Sequence, residues 1–190
     1  GLLALFRNLV AVLGHPGAIA DTMLDWIDED EMPRVFGAED TYYMSLTPPY
    51  HAPNQPLHTL RELALIKGFT PEVLEGSEKD GTSGLLDFVT VSSDSTINVN
   101  TCDRVLLNAL GFSEMEVERI VAEREERPLD EGFLLRTNKN AYLGNRKLIS
   151  FRSGSFSIAC TARTAGGTRR RMRAHARRGK TVTISTIEDI

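Results

Sequence analysis

Cysteine is scarce in this sequence: Cys102 and Cys160 stand alone in 190 residues, with no Cys-x-x-Cys pair and no zinc-type spacing. A disulfide-dense scaffold and a zinc module are thereby excluded. No stretch reaches the roughly 18 apolar residues that a membrane-spanning helix needs. The opening run from Leu2 to Leu13 is too short and is interrupted by Arg7 and Asn8. A basic n-region with a cleavage site is missing, and the chain opens inside a helical pattern, as a segment of a longer protein would. Enzyme signatures are lacking as well: there is no Gly-x-Ser-x-Gly, Walker loop, His-Glu-x-x-His or Ser-x-x-Lys. The four histidines, His15, His51, His58 and His175, are scattered. Carboxylates are abundant enough for acid–base work, but spacing alone pairs no two of them for it.

What is present is an ordinary soluble composition, 41% hydrophobic and 25% charged, at a length that supports a sizeable core. The formal net charge of −4 conceals a strong asymmetry. Residues 1–131 hold 24 of the 26 acidic side chains and only nine of the 22 basic ones. Residues 132–190 hold the other 13 basic residues, with Glu188 and Asp189 as their only acids. An acidic body followed by a basic end implies different packing roles or different partners.

Helical periodicity dominates to about residue 125. Leu2, Leu5, Phe6, Leu9 and Leu13 share one face, and Gly14-His15-Pro16-Gly17 ends that helix. Ile19, Ala20, Met23, Leu24 and Ile27 form a second face. Leu57 to Ile66 reads as a third helix, and Pro71 opens a short fourth. Asn100-Thr101 is expected to cap a fifth that ends near Leu110. Ser113, with Glu116 in the capping-box position, starts a sixth that runs to about Arg127. The helix–Gly–helix corners at Gly14, Gly68 and Gly111 resemble one another, the first and last lying 97 residues apart. They are compatible either with internal duplication or with the general frequency of Gly at helix ends. Leu134 to Asn145 reads as a polar linker. The period then changes to two: Phe156, Ile158, Cys160 and Ala162 alternate with polar neighbours, Gly166-Gly167 offers a hairpin, and Met172, Ala174, Ala176, Val182 and Ile184 continue the pattern. Three antiparallel strands with one apolar and one polar face follow, so the fold class is α+β, helices first and a small sheet last.

Three constellations bear on chemistry. Residues 97–124 have the outline of a helix-hairpin-helix, the DNA-phosphate-binding element of competence proteins. However, Ser113 replaces the second glycine of its turn, and residues 94–131 carry ten carboxylates against four arginines, the wrong sign for phosphate. Arg169, Arg170, Arg171, Arg173, Arg177 and Arg178 form a basic run; strand alternation puts Arg169, Arg171, Arg173 and Arg177 on one side. It reads as a solvated strand face or as an interface for an acidic partner or membrane surface, and it lacks the aromatics that single-stranded nucleic acid would stack on. Asp25, Asp28, Asp30 and Glu31 precede Pro33, and Glu39-Asp40 follow Gly37. These hard oxygens within a short loop fit calcium, or equally a solvated acidic helix end. Asp94 is a further acidic ligand or a turn former.

Several blocks together resemble the K-type minor pseudopilin family of type II, or general, secretion. They are Leu24-Asp25-Trp26-Ile27-Asp28-Glu29-Asp30 with Pro33, Gly37-Ala38-Glu39-Asp40 and Tyr42-Tyr43; then Pro49-Tyr50, Asn54, Leu60-Arg61-Glu62-Leu63 and Ile66 to Glu72; then Ile97-Asn98-Val99-Asn100-Thr101. Order and spacing match over roughly residues 5–125, and the terminal strands match in pattern only. The resemblance implies a helical, SAM or helix-hairpin-helix-like inserted domain at 1–142 and a pilin-like antiparallel sheet region at 143–190, with an N-terminal membrane helix and first strands lying outside this sequence. It implies a non-enzymatic subunit at the pseudopilus tip, periplasmic and anchored in the inner membrane. Its partners would be I-type and J-type minor pseudopilins and secreted proteins, with no nucleic acid. The alternatives are a helix-hairpin-helix nucleic-acid module or the tip subunit of a DNA-uptake pilus. The resemblance also implies calcium, with Asp28, Asp30, Glu39 and Asp40 as its ligands. Cys102 stands where the family has Ala, and a periplasmic setting permits a disulfide between Cys102 and Cys160.

Overall fold

Two corners organise the first half of the chain. In the computed structural model, which describes residues 1–189 apart from Glu78, Asp80, Asp94 and Lys180 and only the backbone of 185–189, helix α1 spans Leu2–Val12 and α2 spans Ala18–Ile27. Gly14, at φ 79, ends α1 in a Schellman motif: its N–H donates to the Ala11 carbonyl at 3.0 Å, and that of His15 donates to Val10 at 3.0 Å. The same motif ends α5 (Arg104–Ala109) before α6 (Glu114–Glu126). There Gly111, at φ 92, donates to Asn108 at 2.8 Å, and Phe112 donates to Leu107 at 3.2 Å. The corner at Gly68 differs, because the segment before it is a 3-10 helix, Leu60–Leu65, and Phe69 donates to Ile66 instead. The two like corners face one another: α1 packs on α5, and the Asn8 amide donates to the Ala109 carbonyl at 3.0 Å. Val10, Leu107, Leu110, Phe112, Val117 and Ile120 are buried around this crossing.

Three expectations are corrected here. The third helix begins at Leu60, not Leu57, since Glu62 Oε1 accepts from the N–H groups of Thr59 (2.7 Å) and His58 (3.1 Å) and holds the preceding residues extended. The cap of α5 is Asp103, whose carboxylate accepts from Val105 N–H at 2.8 Å. Asn100 is used elsewhere, donating to Phe151 O and accepting from Leu129 N–H, and so cross-ties three segments. The supposed linker is α7, Glu131–Asn145, interrupted at Asn138. Its polar residues made it look unstructured, yet they act locally. Asp130 caps the first part through Phe133 N–H at 2.8 Å, and Asn138 caps the second through Ala141 N–H at 2.9 Å. Phe133, Leu134 and Tyr142 are buried beneath.

Short elements close the lobe. Helix α3 is Asp40–Tyr43 and α4 is Pro71–Glu75, capped by Thr70 as Pro71 leads one to expect. Strands β1 (Gly76–Ser77) and β2 (Thr82–Ser83) pair antiparallel; β3 (Ile97–Asn98) and β4 (Ile149–Ser150) pair parallel, which ties the lobe to the chain leaving it. The terminal sheet follows the alternation read from sequence: β5 (Ser155–Arg163), β6 (Arg169–Arg178) and β7 (Val182–Asp189), ordered 5-6-7 and antiparallel. Phe156 pairs with Ala176, Ile158 with Ala174 and Cys160 with Met172. This apolar face is largely uncovered: Ile158 and Ile184 are 53% and 57% exposed, and only Ala176 among its members is buried.

Replacing Gly111 by Ala is expected to cost about 1 kcal/mol in urea unfolding, because a side chain there must adopt the left-handed region. Gly17, at φ −59 with open space where a Cβ would stand, is the control, and Gly17→Ala should leave stability unchanged or raise it slightly.

Candidate metal site in the acidic loop

The loop between α2 and α3 is folded around one carboxylate. Asp25 lies on the last turn of α2 and has no exposure. Its Oδ2 accepts from the Arg34 backbone N–H at 3.1 Å, and its Oδ1 takes the Arg34 guanidinium at 2.5 Å. The same Arg34 nitrogen reaches Asp28 Oδ2 at 2.5 Å, so one cation staples two turns of chain. These two bonds hold the guanidinium well above its ordinary pKa. Gly37 is required by proximity: a Cβ there would stand 1.7 Å from Asp25 Oδ2. Behind the loop, Trp26, Tyr43 and Tyr50 form an aromatic wall, with the Trp26 and Tyr43 rings edge-on at 5.0 Å. Lys67 donates to the Gly37 carbonyl at 3.2 Å and lies over the Tyr42 ring. Tyr50 fixes the far side, its hydroxyl donating to Leu65 O at 2.7 Å.

Within this frame Asp28, Asp30 and Glu39 each present a carboxylate oxygen, all within 4.8 Å of one another. Asp40 is not with them. As the first residue of α3 it faces the other way, accepting from Ala52 N–H at 2.9 Å and bonding His51 at 2.7 Å, and the His51 bond pulls its pKa down. Glu39 is 4% exposed. Its burial, and then the charges of Asp25 and Asp28, push its pKa up to about 7. Neither Glu39 oxygen has a hydrogen-bond partner among the described residues, and the same holds for the buried Asp28 Oδ1 and Asn54 Oδ1. Asn54 is joined to the loop through Glu31, to which its amide donates at 2.9 Å.

Four orphaned buried oxygens beside clustered carboxylates are costly unless a proton or a cation satisfies them. A calcium ion at 2.3–2.6 Å from each ligand can bridge oxygens roughly 5 Å apart, so the spacing fits a hard divalent ion. The donor set is all oxygen, which suits calcium rather than a thiophilic metal. Sequence reading missed Arg34 and the role of Asn54. The signal for the former was present: Arg34 is the only Lys or Arg between Arg7 and Arg61, set among acids that it must partly neutralise. Asp94 lies outside the described residues.

The other constellations are also placed. At the α5–α6 corner Ser113 N–H donates to Glu116 Oε2 at 2.8 Å, so the chain's own carboxylate fills the position a phosphate would take. Cys102 is half-buried, its thiol pushed up to about 11 by burial, while Cys160 is exposed on the sheet; both are free thiols.

Comparison with known proteins agrees with this architecture. Residues 2–79 match the family model described as "Type II secretion system (T2SS), protein K". The type II secretion system protein K of Pseudomonas aeruginosa is 32% identical over 165 residues, covering 83% of this chain and 45% of that protein. The putative type II secretion system protein K of Escherichia coli K12 is 35% identical over 97 residues, 51% of this chain and 27% of the relative. The chain spans less than half the length of the relatives it matches, from 15% to 45% of each. In structure it resembles a chain of the GspK-GspI-GspJ complex from the enterotoxigenic Escherichia coli type 2 secretion system, with TM-score 0.65, 20% identity and coverage of 98% of this chain and 69% of that one. The family model and the sequence relatives define the class as a component of type II secretion systems, here a helical lobe joined to a small antiparallel sheet. Within that class, the chain belongs to the type II secretion protein K family.

The raised pKa of Glu39 has a definite sign. Folded Glu39 keeps a proton that the unfolded chain has lost, from about pH 4.5 to about 7. Its contribution is therefore complete below pH 4.5 and is lost as pH rises through 7. Asp40, Glu72 and Glu116, whose pKa values are lowered, act in the opposite sense but in the acid range below it. In chelator, urea unfolding should show the chain less stable at pH 8 than at pH 5, and Glu39→Gln should flatten that difference.

Proposed function

We propose that this chain is the periplasmic part of a K-type minor pseudopilin that crowns the tip of a type II secretion pseudopilus, assembled with I-type and J-type minor pseudopilins and anchored in the inner membrane. It acts by binding and capping, not by catalysis. The observation that carries the reading is the join of a large helical lobe to a small sheet whose apolar face is uncovered. A lobe of this size does not fit between subunits stacked inside a thin filament, whereas at the end it meets no steric bar. The uncovered residues Phe156, Ile158, Met172 and Ile184 supply the apolar surface on which the N-terminal helix expected outside this sequence and neighbouring subunits would pack. Similarity to a chain of the GspK-GspI-GspJ complex supports the choice of partners. The nucleic-acid reading is disfavoured by the acidic surroundings and the self-occupied turn at Ser113. The test is size-exclusion chromatography of the chain with purified I-type and J-type pseudopilins of the same system. Co-elution is expected, weakened by Ile158→Asp combined with Ile184→Asp, and separate elution of the unmodified proteins would overturn the proposal.

The acidic loop is proposed to hold calcium through Asp28, Asp30 and Glu39, with Asn54 Oδ1 a further oxygen donor. The ion would supply the positive charge that Arg34 alone does not, and would fix the loop against the aromatic wall. A ligand that binds only the folded chain stabilises it by about 2.7 kcal/mol at a hundredfold excess over its dissociation constant. Millimolar calcium should therefore raise the melting temperature by several degrees at pH 8. Chelator should reverse the rise, and Asp30→Asn with Glu39→Gln should abolish it.

A further inference from the structure

The polar face of the terminal sheet carries a row of arginines that the molecule does not neutralise. Arg169, Arg171, Arg173 and Arg177 alternate along β6 on one side, with His175 in the same row, and Arg163 on β5 stands directly across from Arg169. All five arginines are exposed, and none has a hydrogen bond or ion pair among the described residues. Most arginines of the helical lobe behave differently. Arg7 bonds Asp21, Arg34 bonds Asp25 and Asp28, Arg104 bonds Glu118, Arg127 bonds Glu123 and Arg146 bonds Glu131, while Arg124 donates to two carbonyls; Arg61, Arg119 and Arg136 have no carboxylate partner among the described residues. Glu188 stands at the register position opposite Arg173, and neither β5 nor β6 contains an acidic residue, so the two strands carry a strong positive excess.

Like charges set two residues apart on a strand, with a further pair directly opposite, oppose the pairing of the strands that carry them. The neighbours along β5 are small: Ser155, Ser157, Ala159 and Thr161 pair with Arg177, His175, Arg173 and Arg171. Successive arginines in the row are spaced by about 7 Å, twice the rise of a strand residue. Arginine, with its planar fork, engages carboxylate in two parallel bonds.

We propose that this row is a docking surface for an acidic protein segment that presents carboxylates at the same pitch, as an extended strand does with an acid at every second residue. The remaining charge of the chain selects against larger polyanions. With residues 1–131 carrying 24 carboxylates, a nucleic acid or a charged membrane plane meets repulsion beyond the row, whereas a short segment touches the row alone. A membrane is further disfavoured because the large apolar residues of the sheet, Phe156, Ile158 and Met172, lie on its opposite face. The inference is independent of which protein supplies the segment.

The test uses the whole chain and three labelled probes at 50 mM salt, read by fluorescence anisotropy. These are a 12-residue peptide alternating Glu and Ser, an isomer with its six Glu in one block, and a single-stranded 12-mer oligonucleotide. Vesicles containing one-third anionic phospholipid are assayed by co-sedimentation. The alternating peptide is expected to bind at least threefold more tightly than the block isomer, and to weaken steadily with salt. It should lose at least tenfold in the chain carrying R169Q, R171Q, R173Q and R177Q, and less in the corresponding lysine variant, with circular dichroism confirming that both variants fold. Equal binding of the two isomers, unchanged binding by the glutamine variant, or tighter binding of oligonucleotide or vesicles than of the alternating peptide would overturn the proposal. A misfolded glutamine variant leaves the isomer and competitor comparisons on the unmodified chain to decide it.

Discussion

The ion pair between the buried carboxylate of Asp25 and the partly exposed guanidinium of Arg34 is the constraint on which the acidic loop depends. A carboxylate removed from water at the end of a helix must find donors, and the loop supplies both a backbone N–H and a guanidinium from one residue. Breaking such a pair typically costs about 3–5 kcal/mol, because the remaining charge stays buried. The consequences spread outward. Gly37 must lack a side chain to let Asp25 approach. The chain then returns to place Glu39 against Asp28 and Asp30, with Lys67 and Tyr50 bracing the far side. The acid cluster is thus a by-product of satisfying Asp25. Its own charges are left over, and the raised pKa of Glu39 reflects its burial first and those neighbouring charges second.

Much of this was legible in the sequence, and the misses share a cause. Periodicity located α1, α2, α6 and the three strands, because each has an apolar stripe whose spacing matches its backbone repeat. Polar composition misled at α7, where Asn138 and Asp130 serve as caps and so look like loop residues. The cap of α5 was misplaced for a related reason: several residues near Asn100 can cap, and only the tertiary ties of Asn100 to Leu129 and Phe151 decide between them. In the acidic loop, spacing identified the acids but not their directions. Asp40 follows Glu39 directly, yet it begins a helix and points to His51, whereas Glu39 points inward. The deciding partner, Arg34, stands out in sequence as the lone cation of the acidic stretch, but its simultaneous backbone and side-chain bonds to Asp25 emerge only in the fold.

The similarity of the two Schellman corners bears on how the lobe holds together. Gly14 and Gly111 end helices that cross, and Asn8 on one helix satisfies the terminal carbonyl of Ala109 on the other. A helix end normally leaves such carbonyls to water. Here the packing of the two helices satisfies one of them directly, and the glycine at each corner provides the chain reversal that ends the helix. The Gly68 corner follows a 3-10 helix and lacks this arrangement, which argues for a matched pair rather than a threefold repeat.

Charge segregation along the chain then acquires a structural meaning. Within the helical lobe most arginines and many carboxylates neutralise one another at short range, leaving the loop cluster as a concentrated negative excess. On the sheet the arginines are arranged so that strand alternation prevents their self-neutralisation, leaving a linear positive excess. No arginine of that row pairs with a loop carboxylate among the described residues, so the two excesses do not cancel internally. The negative one is gathered at a single loop, with Glu39 buried and Asp30 exposed; the positive one is open and extended along a strand. The opposite sheet face, apolar and equally open, gives this thin element two chemically distinct sides. Separating an apolar side from a charged one lets the two faces make chemically different contacts. Two-residue alternation is the least elaborate way for a sequence to encode it.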